Sequence, residues 1–245
     1  MIIEVVVYNI ESALKAQAGG ADRIELCDSP LEGGTTPSFG VIEGVRQNVS
    51  MDLYVMIRPR GGDFVYNNYD FYAMKRDIDQ CMKLSADGVV FGILTPEARM
   101  DVKRCRELIQ RARPMKVTCH RAFDVTRDAF EALEDCIEAG FDRILTSGRM
   151  PTAPEGETLI KQLVERAAGR ITLMAGAGIT DQNVKRLVDH TGIREVHFSA
   201  TRFGPPVGVN GNHFVSFIGA LPTDYRQSRL ADVETVARMR HALGG

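Results

Sequence analysis

Apolar positions along this chain follow two periods in alternation. Short, β-branched runs at Ile2–Val7, Arg23–Cys27, Leu53–Ile57, Gly88–Gly92, Lys116–His120, Arg143–Ser147, Ile171–Ala175 and Glu195–Ser199 read as strands. Each is followed by apolar residues spaced three or four apart, which predicts helices over Ile10–Ala18, Phe39–Asn48, Tyr69–Leu84, Asp101–Arg113, Arg127–Ala139, Glu155–Ala168, Asp181–His190 and Leu230–Leu243. Strand starts recur every ~30 residues, the length of one βαβ unit. Eight units in series predict an α/β fold, a single (β/α)8 TIM-type barrel over residues 1–245, with an open doubly wound sheet as the alternative.

An internal repeat favours the closed form. Gly20-Ala21-Asp22-Arg23-Ile24, Gly140-Phe141-Asp142-Arg143-Ile144 and Gly192-Ile193-Arg194-Glu195-Val196 each leave a helix on glycine and begin a strand, and Ala86-Asp87-Gly88-Val89-Val90 is a weaker copy. All four precede even-numbered strands. Odd and even strands fill the interior of an eight-stranded barrel in separate layers, so a feature shared by alternate strands fits closure.

Side chains alternate faces along a strand, so a polar residue in an apolar strand faces the barrel interior or its mouth. By this parity Glu4, Glu25 with Cys27, Met56 with Arg58, Thr118 with His120, and Glu195 with His197 and Ser199 point inward, while Leu26, Val117, Cys119 and Phe198 face the helices. Carboxylates and imidazoles in one half-desolvated cup shift each other's pKa values, as acid–base sites require. Glu4, Glu25, His120, His197 and Asp124 are therefore the candidate catalytic groups. Glu4 has the alternative of pairing with an arginine low in the barrel, and Asp124 that of orienting Arg121 or capping the next helix.

The third strand runs into Arg58-Pro59-Arg60-Gly61-Gly62-Asp63, which sets guanidinium groups at its carboxyl end, where barrels bind ligands. Gly176 and Gly178 follow the seventh strand and Ser199 ends the eighth. Loops at those places often hold phosphate through backbone N–H groups. Arg58, Arg60, Asp63, Arg121, Ser147, Gly176, Gly178 and Ser199 are thus expected to converge on one small anionic ligand. No lysine stands at a strand end, which disfavours Schiff-base chemistry, and neither a dinucleotide fingerprint nor a P-loop occurs.

Composition narrows the partners. At 44% hydrophobic and 25% charged the chain is ordinary globular material. A formal net charge of −2 provides no basic field for nucleic acid, and no run approaches the ~18 apolar residues of a membrane span. The first residues lack a basic signal-peptide region, so a cytoplasmic location is expected. Five cysteines without C-x-x-C spacing fit reduced thiols, mostly small core hydrophobes. Two long loops, Arg58–Asp70 with Phe64, Tyr66 and Tyr69, and Ala200–Arg229, read as lids or subunit contacts and suggest a homodimer.

Glu25-Leu26-Cys27, Gly33-Gly34-Thr35-Thr36-Pro37-Ser38, Ile57 to Phe64, His120-Arg121-Ala122-Phe123-Asp124, Leu145-Thr146-Ser147-Gly148, Met174 to Gly178 and Glu195-Val196-His197 together resemble the CutC family, in order and across most of the chain. The resemblance implies a cytoplasmic TIM-type barrel, commonly dimeric, with a role in copper homeostasis and copper binding. Many members carry a cysteine just after the first-strand glutamate. This chain has Val5, Val6 and Val7 there, one thiol fewer to share copper with Cys27.

Two functions follow as expectations. One is copper binding, for which Cys27 with His120, His197 and Met56 is the best soft set. The other is an enzyme performing proton transfer on a small anionic or phosphorylated carbohydrate-like substrate, which the arginines and carboxylates favour. A hard divalent metal on Glu4, Glu25 and a histidine is a third arrangement.

Overall fold

Eight parallel strands close on themselves in chain order: β1 (Ile2–Val7), β2 (Arg23–Leu26), β3 (Asp52–Met56), β4 (Gly88–Phe91), β5 (Lys116–Cys119), β6 (Arg143–Thr146), β7 (Thr172–Gly176) and β8 (Glu195–Phe198), with β8 pairing back onto β1. This is the computed structural model of the chain, and it describes residues 1–205 and 228–244. The helices α1 (Ile10–Ala18), α2 (Phe39–Asn48), α3 (Asn68–Lys83), α4 (Val102–Ala112), α5 (Ala129–Ala139), α6 (Glu157–Ala167), α7 (Val184–Thr191) and α8 (Val233–Ala242) alternate with the strands. The closed form, not the open sheet, is the fold. Among the described residues no helix is long and apolar enough to cross a membrane.

The repeat before the even strands has a structural cause. Asp22 Oδ2 accepts from the N–H of Ile3, Asp87 Oδ2 from that of Leu53 and Asp142 Oδ2 from that of Val117, at 2.7, 2.8 and 2.9 Å. In each case an aspartate leading into an even strand satisfies a backbone donor at the start of the preceding odd strand. These carboxylates fix register in pairs, because a slip of one residue would leave the donor unpaired and turn every side chain over. The fourth copy has Arg194 instead; its backbone oxygen accepts from Ile2 N at 3.0 Å across the closing seam, as the backbone oxygens of Asp87 and Asp142 accept from Lys116 and Thr172.

Parity holds through the barrel. Val5, Leu26, Val55, Phe91, Val117, Cys119 and Phe198 are buried in the layer between sheet and helices, each contributing ~1.5–3 kcal/mol for the larger side chains. Cys81, Cys105 and Cys136 lie in that layer too, and all five thiols are free and buried. Val6, Cys27, Tyr54, Met56 and Val90 form a separate apolar cluster inside the barrel.

Two helices start three residues later than predicted, α7 at Val184 and α8 at Val233, and α8 does so because a strand takes its first residues. Leu230 and Ala231 belong to β10 (Arg229–Ala231), which pairs antiparallel with β9 (Thr201–Phe203), and α8 begins only after Asp232 caps it. A pairing partner almost 30 residues away overrides a local helical pattern. Residues 206–227 of the loop expected over Ala200–Arg229 lie outside the described residues.

The lower interior is a charged floor. Arg23 is bonded to Glu4 through Nε and to Glu195 through Nη2 at 2.5 Å; Arg143 holds both oxygens of Glu195 and the Thr118 hydroxyl at 3.2 Å. Both guanidinium groups lie against Tyr54, their carbons 4.9 and 5.3 Å from its ring centroid. Gly88 makes room for that ring: a Cβ there would sit 2.5 Å from Tyr54 Cε2. Because the ring is held by its contacts with the arginines, Gly88→Ala is expected to destabilise by ~1–3 kcal/mol, read as a lower urea midpoint with unchanged slope.

Candidate functional site

Above the floor a chain of titratable groups climbs towards the mouth. Register places Glu4 opposite both Arg23 and His197. The Nδ1 of His197 lies 2.7 Å from Glu4 Oε1, its Nε2 lies 3.8 Å from Glu25 Oε2, and the Cys27 thiol donates to Glu25 Oε2 at 3.5 Å. Burial alone would raise the Glu4 pKa, but the Arg23 charge and the His197 hydrogen bond outweigh it and bring it down to about 2. Glu4 is therefore a fixed carboxylate, and His197 donates its Nδ1–H to it. His197 is raised although burial opposes it, because Glu25 and Glu4 face it. Burial pushes Glu25 up, and burial with the neighbouring Glu25 pushes the Cys27 thiol well above its usual value.

The opposite wall comes from β3 and β5. Arg58, two residues beyond β3, is buried, and among the described residues the hydrogen bonds of its guanidinium all run to backbone oxygens: Nη1 to Glu32 at 2.5 Å and Gly34 at 2.9 Å, Nη2 to Gly62 at 2.8 Å. Its guanidinium carbon stands 5.0 Å from the Phe64 ring centroid. His120, just past β5, accepts from Ala122 N at Nδ1 at 3.2 Å, which leaves the proton of the neutral ring on Nε2. Burial and the Arg58 charge push its pKa down to about 3, so it is a neutral donor.

These walls enclose a cavity of about 160 Å³ whose lining includes Val6, Tyr8, Glu25, Cys27, Met56, Arg58, Phe64, His120, Arg121, Leu145 and His197. Three buried polar atoms of that lining have no hydrogen-bond partner among the described residues: Glu25 Oε1, Arg58 Nε and His120 Nε2. Buried polar atoms are rarely left unpaired, and three around one cavity mark a place built to receive polar groups.

The other residues expected to converge there do not. Arg60 turns outward, bonding Asp63 at 3.1 Å and Asp70 at 3.2 Å and lying over Tyr66, so Asp63 serves as its ion-pair partner. Gly176 admits the Leu145 side chain, 2.6 Å from where a Cβ would stand, and Gly178 faces Thr152 while its oxygen accepts from Asn183. Ser199 is exposed and bonds the Thr201 hydroxyl at 2.7 Å. Asp124 is a hub outside the cavity lining: it accepts from Ser147 N and Oγ, Thr146 Oγ1 and Arg149 N, and pairs with Arg121 Nε at 2.8 Å. It orients Arg121 at the rim, whereas Asp128 caps α5. Ser147 is spent on this hub. Tyr8 had been overlooked, although Glu4, Val6 and Tyr8 share one parity and the signal was there.

Acid should act on this wall. His120 carries a lower pKa folded, about 3, than its ordinary 6.5, so protons bind the unfolded chain more strongly between those values. Its contribution is present above 6.5 and lost as pH falls towards 3. In urea titrations, the stability of wild type relative to His120→Asn should fall across that window by up to ~1.4 kcal/mol per pH unit.

As a metal site the arrangement is mixed. Glu4, Glu25 and His197 offer ligand atoms within 4.8 Å of one another, but both Glu4 oxygens are already engaged, by Arg23 and His197. The soft set fits Cu(I) in part: the free nitrogen of His120 carries a hydrogen and Arg58 adds a buried positive charge, which leaves the Met56 thioether, His197 Nε2, whose ring is held by Glu4 at Nδ1, and the Cys27 sulfur, whose thiol burial makes reluctant to give up its proton.

Comparison with known proteins agrees with the motifs. The CutC family profile matches residues 1–202. A protein from Mus musculus named copper homeostasis protein cutC homolog is 50% identical over 199 residues, 81% of this chain and 73% of that one. A CutC family protein of Xanthomonas axonopodis pv. citri is 44% identical over 243 residues, 99% of both chains. The crystal structure of a CutC from Streptococcus agalactiae superposes with a TM-score of 0.77 at 34% identity, covering 81% of this chain and 98% of that one.

Proposed function

This chain belongs to the CutC family, and from that premise we propose that its barrel mouth is an enzyme site that binds a small anionic molecule and moves a proton on it. The observation that carries the reading is the set of three unpartnered atoms, two donors and one acceptor, around one cavity. A ligand oxygen accepts from Arg58 Nε–H and His120 Nε2–H. The Glu25 carboxylate takes a proton from the adjacent carbon or hydroxyl, and the negative charge that develops spreads onto the oxygen held by those donors. Burial raises the Glu25 pKa, which suits a base that must take up a proton. Fixed by Glu4, His197 faces Glu25 and compensates the charge of its carboxylate before the proton is taken and after it is returned.

A second reading has its own observation. Cys27 Sγ and Met56 Cε both border Gly34, 3.2 and 3.6 Å from where its Cβ would stand, and relatives are named for copper homeostasis. One pair of experiments separates the two. Incubation with small hydroxy, oxo and phosphorylated acids in D2O, followed by proton NMR, should show protein-dependent loss of a carbon-bound hydrogen. Exchange with none of them, together with anaerobic Cu(I) binding that Cys27→Ala abolishes, would replace the enzyme by a copper site.

A further inference from the structure

Resting on the proton-transfer reading, we infer that the cavity takes a monocarboxylate of about six to eight heavy atoms, with a hydroxyl or carbonyl on the carbon next to the carboxylate, and not a phosphate ester. Size comes first. A 150 Å³ protein cavity holds a benzene ring, about six heavy atoms, and this one measures about 160 Å³.

The donors then choose the head group. Three of the five N–H groups of Arg58 are committed to backbone oxygens, two on Nη1 and one on Nη2, and Nε is the guanidinium nitrogen with no partner among the described residues. One N–H from Arg58 and one from His120 match the two oxygens of a single planar carboxylate. Charge agrees: a neutral His120 beside one buried guanidinium balances one negative charge, and a dianion would set its second charge within the same small cavity as Glu25.

Among the described residues, the loops after β6 and β7 have their donors and glycines already engaged. The backbone N–H groups of Ser147 and Arg149 and the hydroxyls of Thr146 and Ser147 all point at the Asp124 carboxylate. Gly176 and Gly178 are closed by Leu145 and Thr152. What remains is Glu25 Oε1, an acceptor for a hydroxyl or a carbon-bound proton beside the carboxylate, and an apolar wall of Val6, Met56 and Phe64 for a short carbon chain.

The test uses the full chain with lactate, glycerate and pyruvate against acetate, inorganic phosphate and glycerol 3-phosphate. At a hundredfold excess over Kd, one or more of the 2-hydroxy or 2-oxo acids should raise the thermal midpoint by about 5 °C, and the phosphates should leave it unmoved. The shift should disappear in His120→Asn, whose amide oxygen replaces the Ala122 contact but whose short side chain cannot present the outer donor. It should also disappear in Val6→Phe, which fills the cavity and leaves its charges intact. Carbon-bound deuterium uptake is followed in the same samples. Binding of the carboxylates without uptake upholds the ligand class and removes the proton-transfer reading. Binding and uptake with the phosphates alone overturns the class and keeps the reading. Binding of none of the compounds, or a shift that survives in Val6→Phe, also overturns the class.

Discussion

Arg23→Met is expected to cost ~3–5 kcal/mol of folding stability and to lower the thermal midpoint by about 10 °C. The arginine is the one cation in the floor that holds two carboxylates at once, and Glu4 and Glu195 are both buried. Removing it leaves Glu4 without its strongest compensating charge, and the desolvation that alone would raise its pKa is no longer offset. The double variant Arg23→Met, Glu4→Gln leaves Glu195 to Arg143 and should recover part of the loss, because breaking a buried pair costs more than replacing it whole. Calorimetry of both proteins checks this. A single variant within 1 kcal/mol of wild type would mean that water reaches the floor and screens it.

Glu25→Gln should reduce proton exchange on the ligand by ~10²–10⁴-fold while binding stays within a few-fold. The amide keeps the side-chain shape and an acceptor oxygen but cannot take up a proton. His197 should also titrate lower in this variant, since Glu25 is the largest influence raising it against burial, and NMR of the imidazole provides a readout independent of turnover. Unchanged exchange with a shifted His197 would move the base to another group, with Cys27, 3.5 Å from Glu25, the first to examine.

The barrel was legible because its strands carry a two-residue period that only one choice of face satisfies. That parity set Glu4, Glu25, Cys27, Met56, Arg58 and His120 inside and Cys119 outside, where the structure has them. It failed where the chain leaves the sheet. Arg58 and Arg60 look equivalent in sequence, but one is held by backbone oxygens of two loops and the other is drawn outward by Asp63 and Asp70. No strand period extends to such contacts. The glycines of β7 are ambiguous for a related reason: lacking a Cβ admits an anion or a neighbour's side chain equally, and at Gly176 the neighbour is Leu145. The aspartates before the even strands were visible as a repeat, yet their purpose required knowing which backbone donor each would meet.

The floor also bears on how the chain is made. A ribosome releases Glu4, Arg23 and Arg143 long before Glu195, so a seven-stranded nascent chain has two guanidinium groups to bury against one floor carboxylate. Premature closure around β1–β7 is opposed by that imbalance as well as by its open edges. Synthesis of the last strand delivers both Glu195 and His197, the partners of Arg143 and Glu4. Stalled chains ending before Glu195, held clear of the exit tunnel by a linker, should therefore be cut in pulse proteolysis as fast as unfolded chain, and Arg143→Met should slow the cutting by relieving the excess charge.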